Sequence, residues 1–175
     1  MTEKTIKSTP IYDGRVFSVR SDIALLCDNS QVQRDVVLHN GGVGVLAIDE
    51  SRKITLVKQY RYGASCMTLE IPAGKLEKGE NPEECGKREL LEEAGYVAES
   101  FISLGEILPT PAYCSEVIYL YLATKLTKKE QHLDEDEFLD VITMDLDEAY
   151  NMVMRNEIKD AKTIAAILKA KGLGY

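Results

Sequence analysis

Three glutamates, Glu89, Glu92 and Glu93, close the stretch GKLEKGENPEECGKRELLEEAGY (Gly74–Tyr96), in which seven of twenty-three residues are glutamate. Their spacing places them in what reads as the last turn of a helix, where the helix dipole is itself negative. Carboxylates three and four positions apart on one helix face also repel one another. At roughly 100° per residue, all three fall within an arc of about 100°. That arc lies along the edge of an apolar stripe formed by Gly86, Leu90, Leu91 and Ala94. Hard divalent cations take oxygen ligands, and Mg2+ is commonly held by one or two carboxylates, waters and substrate phosphates. A cation bound at this turn offsets both penalties. A solvated acidic face, the ordinary reading of a Glu-rich helix, leaves them standing. Arg88 precedes Glu92 by four residues and is placed to orient that carboxylate.

The helix carrying these groups is predicted over Pro82–Ala94. Asn81 supplies the N-cap, Pro82 the first helical position, Glu84 the third residue after the cap, and Gly95 a left-handed terminus. A glycine-containing loop, Pro72-Ala73-Gly74, precedes it. Gly86 costs about 1 kcal/mol against alanine inside a helix and implies close approach of another backbone. Upstream, Val43–Ile48 and Lys53–Tyr60 read as a hairpin about the polar turn Asp49–Arg52, and Met67–Ile71 as a strand ended by Pro72. Downstream, Ser100–Leu108, Glu116–Ala123 and Leu139–Met144 read as strands, and Asp147–Arg155 and Asp160–Lys171 as helices. The first forty residues hold short extended candidates, Arg15–Arg20, Asp22–Cys27 and Val32–Leu38. The expectation is an α/β chain with a mixed sheet flanked by helices. An N-terminal β segment spans residues 1–40 and the main domain 41–175.

Composition narrows the partners. A net charge of -8 argues against nucleic acid or an anionic membrane, which both reward basic surface. It permits a small anionic substrate if a metal ion or a local basic cluster offsets the repulsion. Cys27, Cys66, Cys85 and Cys114 form no Cys-x-x-Cys pair, and with two histidines no zinc spacing arises. Free thiols in a reducing cytosol are the expectation. The longest apolar run, Val117–Ala123, is too short to span a bilayer, so the chain reads as soluble and cytoplasmic.

Gly74, five residues, Glu80, seven residues, then Arg88-Glu89-Leu90-Leu91-Glu92-Glu93-Ala94-Gly95 resembles the signature of the Nudix hydrolases. Tyr96 departs from the usual aliphatic residue at the end of that box. Similarity runs from about Tyr12 to Lys171. Lys58-Gln59-Tyr60-Arg61, Glu70-Ile71-Pro72-Ala73-Gly74-Lys75, Asp160-Ala161-Lys162-Thr163 and Pro111, sixteen residues after Gly95, resemble the ADP-ribose pyrophosphatase branch. Thr110-Pro111-Ala112 stands where that branch often has Ser-Pro-Gly, which leaves the sugar open. The resemblance implies a Nudix-type α/β/α sandwich with a small N-terminal β region that packs across a homodimer. It implies metal on Glu89 and Glu93, with Glu92 nearby as a metal or catalytic carboxylate and the Ala73 carbonyl as a further ligand. Arg88 becomes the orienting partner of the carboxylates, while Arg61, Arg34, Glu116 and Gly74 become substrate contacts. The general base comes from Leu133–Phe138, with Glu137 and Glu135 the candidates. The implied reaction is Mg2+-dependent, or alternatively Mn2+-dependent, hydrolysis of ADP-ribose or a related nucleoside diphosphate sugar. Hydrolysis of nucleoside triphosphates or dinucleotides is the alternative, and a non-hydrolytic ligand-binding domain a weaker one.

Overall fold

The computed structural model describes residues 2–133 and 138–175. The chain divides into two units, Met1–Gly41 with Leu108–Val117, and Gly42–Ile107 with Ile118–Tyr175.

In the first unit, β1 (Lys4–Asp13), β2 (Ser18–Leu25) and β3 (Gln31–Leu38) form an antiparallel sheet in that order. Two corrections to the sequence reading arise here. Arg15–Arg20 and Asp22–Cys27, expected as separate strands, merge into β2, because the turns lie outside them. Gly14 N–H donates to the Phe17 carbonyl at 3.1 Å on one side, and Asn29 takes a left-handed φ of 65° on the other. The strand β1 has no counterpart in the sequence reading. Its apolar residues Ile6, Ile11 and Tyr12 follow no period, and all ten of its residues are exposed. Pairing with β2 sustains it, helped by Ser8 Oγ donating to Oδ1 of the buried Asp22 at 2.6 Å. The segment Leu108–Val117 joins this unit through Val37 N–H to the Tyr113 carbonyl (2.7 Å) and Ser115 N–H to the Val37 carbonyl (2.9 Å).

The second unit is a mixed sheet with helices on both faces. Its strands are β4 (Gly42–Ile48), β5 (Lys53–Arg61), β6 (Cys66–Glu70), β7 (Ala73–Lys75), β8 (Tyr96–Ile107), β9 (Ile118–Lys128) and β10 (Leu139–Asp145). The order is β10-β5-β4-β9-β8, with β6 on β5 and β7 on β4. β4 and β9 run parallel, and the other pairs are antiparallel. The helices are α1 (Pro82–Ala94), α2 (Leu146–Met154) and α3 (Ala161–Gly172). Among the described residues, no helix is long and apolar enough to cross a membrane.

Side-chain alternation along β4 explains why all seven of its residues are buried. Val43, Val45 and Ala47 face α1 through Cys85, Leu90 and Ala94, together with Tyr121 and Ala123 of β9. Leu46 and Ile48 face α2 and α3 through Leu146, Ala149, Ala166, Ile167 and Ala170, with Leu120 and Leu122 of β9 beside them. The expected α/β/α layering is the one observed. The predicted caps of α1 are also in place. Asn81 Oδ1 accepts from Glu83 N–H (2.8 Å) and Glu84 N–H (3.3 Å), and Gly95 is left-handed at φ 65°. Gly86 marks a close approach, but to side chains of the sheet and not to a backbone. A Cβ there would meet Val43 Cγ2 at 3.1 Å and Phe101 Cε1 and Val45 Cγ2 at 3.2 Å.

Candidate active site

The inner face of α1 brings Glu89 and Glu93, one helical turn apart, under the loop that becomes β7. Both are buried, at 8% and 3% exposure, so the carboxylates go deeper than the stripe edge expected from the sequence. The loop is also better fixed than its glycine suggested, because Ala73, Gly74 and Lys75 pair with Gly44, Val43 and Gly42 of β4. Ala73 N–H donates to Glu93 Oε2 at 2.8 Å. Glu89 crosses Gly74 so closely that a Cβ at Gly74 would lie 1.8 Å from Glu89 Oε1. The glycine of the signature is therefore the space that the Glu89 carboxylate occupies.

Arg88 organises the remaining charges. Its Nη1 donates to Glu89 Oε1 at 2.7 Å and to Glu92 Oε2 at 2.9 Å, and its Nη2 reaches Glu80 Oε1 at 3.3 Å. Burial alone lowers the Arg88 pKa, but Glu89, Glu92 and the Cys85 thiol together raise it, so the guanidinium stays charged. Burial pushes the Cys85 thiol up to about 12, which makes it inert packing. Three carboxylates (Glu80, Glu89 and Glu92) thus share one guanidinium, with Glu93 one turn beyond Glu89 on the same helix.

The end of α1 carries no basic residue in its last turn. The last residue of β9 and the segment after it supply the missing donors. Lys128 Nζ donates to the Ala94 carbonyl at 3.0 Å, Lys129 N–H to Gly95 at 2.8 Å and His132 N–H to Glu92 at 3.2 Å, and Gln131 Nε2 donates to the Glu93 carbonyl. The terminal carbonyls of the acidic turn are thereby satisfied, which a helix end requires.

Beside this turn lies a second ionic group. Glu70, 1% exposed on β6, accepts from Arg61 Nε (2.8 Å), Arg61 Nη2 (2.7 Å), Thr68 Oγ1 (2.6 Å) and Lys162 Nζ. Burial, the largest influence, raises the Glu70 pKa, but Arg61, Lys162 and Thr68 outweigh it and hold it at about 2 against an ordinary 4.5. Between these values the unfolded chain binds more protons than the folded one, so stability falls as the pH falls. The contribution, about 3 kcal/mol, is whole above the ordinary value and lost as the pH approaches the folded one. Urea unfolding of the wild type and Glu70→Gln between about pH 2 and 6 checks this. The gap between them is expected to shrink in acid, and a gap independent of pH would refute the assignment.

The other predicted positions are placed as follows. Arg61 is bound to Glu70, but its side chain remains 44% exposed, and the negative charge of Glu93 is among the influences raising its pKa. Arg34 lies on β3 of the first unit, exposed and held by Glu3 through its Nε (3.1 Å) and Nη2 (3.0 Å). Glu116 belongs to the same unit, with Oε1 3.5 Å from His39 Nδ1. That nitrogen already accepts from Gly41 N–H at 3.0 Å, so the Glu116 contact is a hydrogen bond only if the ring rearranges. Glu135 and Glu137 lie outside the described residues. The sequence reading quoted Glu70 and Lys162 in resembling motifs without a role. The available signal was a glutamate flanked by Leu69 and Ile71 inside an apolar strand.

The donor set suits a hard divalent cation. Glu89, Glu92 and Glu93 offer carboxylate oxygens and Ala73 a carbonyl, in a region where negative charge is in excess. Among the described residues, no three of His, Cys, Asp and Glu converge into a ready-made cage.

The NUDIX domain profile matches residues 38–167, and the chain belongs to the Nudix family. It is 38% identical over 169 residues to the ADP-ribose pyrophosphatase of Bacillus subtilis (strain 168), covering 95% of this chain and 91% of that protein. It is 44% identical over 167 residues to the methanol dehydrogenase activator of Bacillus methanolicus, covering 94% and 90%. To the GDP-mannose pyrophosphatase of Yersinia enterocolitica serotype O:8 it is 34% identical over 146 residues, covering 78% and 71%. A crystal structure of an ADP compounds hydrolase matches with a TM-score of 0.88 over 99% of this chain and 94% of the other. At 20% identity, that likeness bears on the fold alone.

Proposed function

We propose that this chain hydrolyses the pyrophosphate bond of ADP-ribose or a related nucleoside diphosphate sugar, yielding a nucleoside monophosphate and a sugar phosphate. The observation that carries the reading is the buried Glu89–Glu93 pair set against Ala73 and Gly74. Glu89, Glu93, Glu92 and the Ala73 carbonyl would hold Mg2+, with Mn2+ the alternative ion. When bound, the metal neutralises phosphate oxygens and lowers the pKa of a water. Arg88 orients Glu89 and Glu92. Arg61 offers its exposed guanidinium edge to a phosphate, and Glu137 or Glu135 accepts the proton of the attacking water. That water's oxygen bonds to phosphorus while the bridging P–O bond breaks, and the second phosphate leaves with the bridging oxygen. Positioning and fixed charge carry such a transfer, and no covalent enzyme intermediate is needed.

The chain is further proposed to act in the cytoplasm as a homodimer. Ile6, Ile11, Tyr12, Val16 and Phe17 are all exposed in the N-terminal unit, which supports that assembly. Light scattering at micromolar concentration that reports one chain's mass would remove the dimer.

Incubation with Mg2+ and a panel of ADP-ribose, GDP-mannose, dinucleotides and triphosphates, with products identified, tests the activity. AMP and ribose 5-phosphate from ADP-ribose are expected. Preferential turnover of triphosphates, or none of any substrate, overturns the reading. A second reading rests on the 44% identity to the methanol dehydrogenase activator, namely that the chain raises the activity of an alcohol dehydrogenase. Dehydrogenase assays with and without the chain distinguish it.

A further inference from the structure

Lys162 is placed against two unfavourable conditions. It sits in the first turn of α3, where the helix dipole disfavours a cation, and it is only 8% exposed. Its ammonium is spent on Glu70 and on Asp160 Oδ1 at 3.0 Å. Asp160 also caps α3 by accepting from Thr163 N–H at 3.0 Å, and Thr163 Oγ1 in turn accepts Ile71 N–H at 2.9 Å. The start of α3 is thus bolted to the β6 end that leads into Pro72 and Ala73.

Glu70 is saturated by this arrangement. Its Oε1 takes Arg61 Nε and Thr68 Oγ1, and its Oε2 takes Arg61 Nη2 and Lys162 Nζ. With its acceptor sites filled it is a fixed anion and not a cation ligand. Arg61 gives Nε and Nη2 to it, which leaves the Nη1 edge directed elsewhere on a side chain 44% exposed. Charge arithmetic then matters. Glu70 and Asp160 against Arg61 and Lys162 sum to zero, with Glu93 a further negative charge acting on Arg61, so Arg61 is not the sole neutraliser of Glu70. Without Lys162, the full Glu70 charge would fall on Arg61, and its remaining edge would be a weaker anion binder.

We propose that Lys162 is a positioning residue for substrate binding: by sharing the Glu70 charge, it fixes the Arg61 guanidinium and leaves its free edge electropositive for a phosphate of a nucleoside diphosphate. The proposal rests on the pyrophosphatase reading for the identity of that phosphate, but the ADP-binding arm of its test does not depend on turnover.

The experiment measures ADP binding by calorimetry without metal, and KM and kcat for ADP-ribose with Mg2+. It uses the wild type, Lys162→Met, Lys162→Arg, Arg61→Ala and the Lys162→Met/Arg61→Ala double variant. Lys162→Met is expected to weaken ADP binding and raise KM about tenfold, with kcat changed by no more than about threefold. Lys162→Arg, which keeps the charge, restores most of the loss. In the Arg61→Ala background, Lys162→Met adds nothing further to KM, because the two act through one contact. Additive effects, equal losses in KM and kcat, or Lys162→Met binding ADP like the wild type would overturn the proposal. If Lys162→Met does not fold, Lys162→Gln and the Lys162→Arg rescue carry the same comparison. ADP binding that follows this pattern without hydrolysis of ADP-ribose would sink the pyrophosphatase reading and leave the role of Lys162 standing.

Discussion

Glu93→Gln is expected to lower ADP-ribose turnover by about a hundredfold or more while the protein stays folded. The scale is that of removing one preorganised electrostatic group from a water-poor site. Glu93 is 3% exposed and receives the Ala73 N–H at 2.8 Å. A glutamine has almost the same shape and keeps a carbonyl oxygen for that hydrogen bond, so the link between α1 and β7 survives. What disappears is the negative charge. The charge also acts on Arg61, so thermal stability without metal should fall only slightly. Steady-state kinetics over a Mg2+ titration, paired with a thermal melt, gives both readouts. Wild-type kcat and Mg2+ dependence would remove Glu93 from the metal site, whereas a collapsed melt would assign it to folding.

The second large effect concerns a residue without a side chain. A Cβ introduced by Gly74→Ala would lie 1.8 Å from Glu89 Oε1 and 1.9 Å from its Cδ. Glu89 Cγ follows at 2.5 Å, so the buried side chain must swing from its root and give up its contact with Arg88, while β7 can stay on β4. The expected result is a separation of two properties. Stability should fall by about 1–2 kcal/mol, since an ion-paired carboxylate is displaced but no backbone pairing is broken. Turnover should fall by tenfold or more, because the Glu89 carboxylate has lost its place against Gly74 and beside Arg88. Urea unfolding and kinetics on the same preparation decide it. Full activity would mean that Glu89 is not needed where it stands, and a loss of several kcal/mol would mean that the strand had moved.

What the sequence made legible divides by the range of the interactions. The ends of α1 were readable because Asn81, Pro82 and Gly95 act within one turn of the residues they cap. The β4–β5 hairpin was readable because Asp49–Arg52 closes it locally. The Nudix resemblance, built on Gly74, Glu80 and Arg88–Gly95, is borne out by the domain match over residues 38–167. The strands β1 and β7 were not readable. The first has no buried face, and the second is three residues that become a strand only because β4 lies beside them. The Glu70–Lys162 pair joins residues ninety-two positions apart, and no local pattern announces such a meeting. Even the Arg88–Glu92 pair, legible at i,i+4, gave no sign that Glu80 and Glu89 share the same guanidinium.

The donors that close α1 come from Lys128–His132, more than thirty residues downstream of the carbonyls they satisfy. This sets an order of assembly during synthesis. The first turns of α1 have their own cap and can form as soon as the chain emerges. Gly95 closes the last turn locally, but the carbonyls of Glu92, Glu93, Ala94 and Gly95 gain these donors only once β9 has returned the chain to them, a non-local closure that costs entropy before it is rewarded. A nascent chain stopped before Lys128 would hold the glutamates without the frame that orders their turn. Full satisfaction of the charged helix end is therefore a property of the assembled sheet and not of the helix alone.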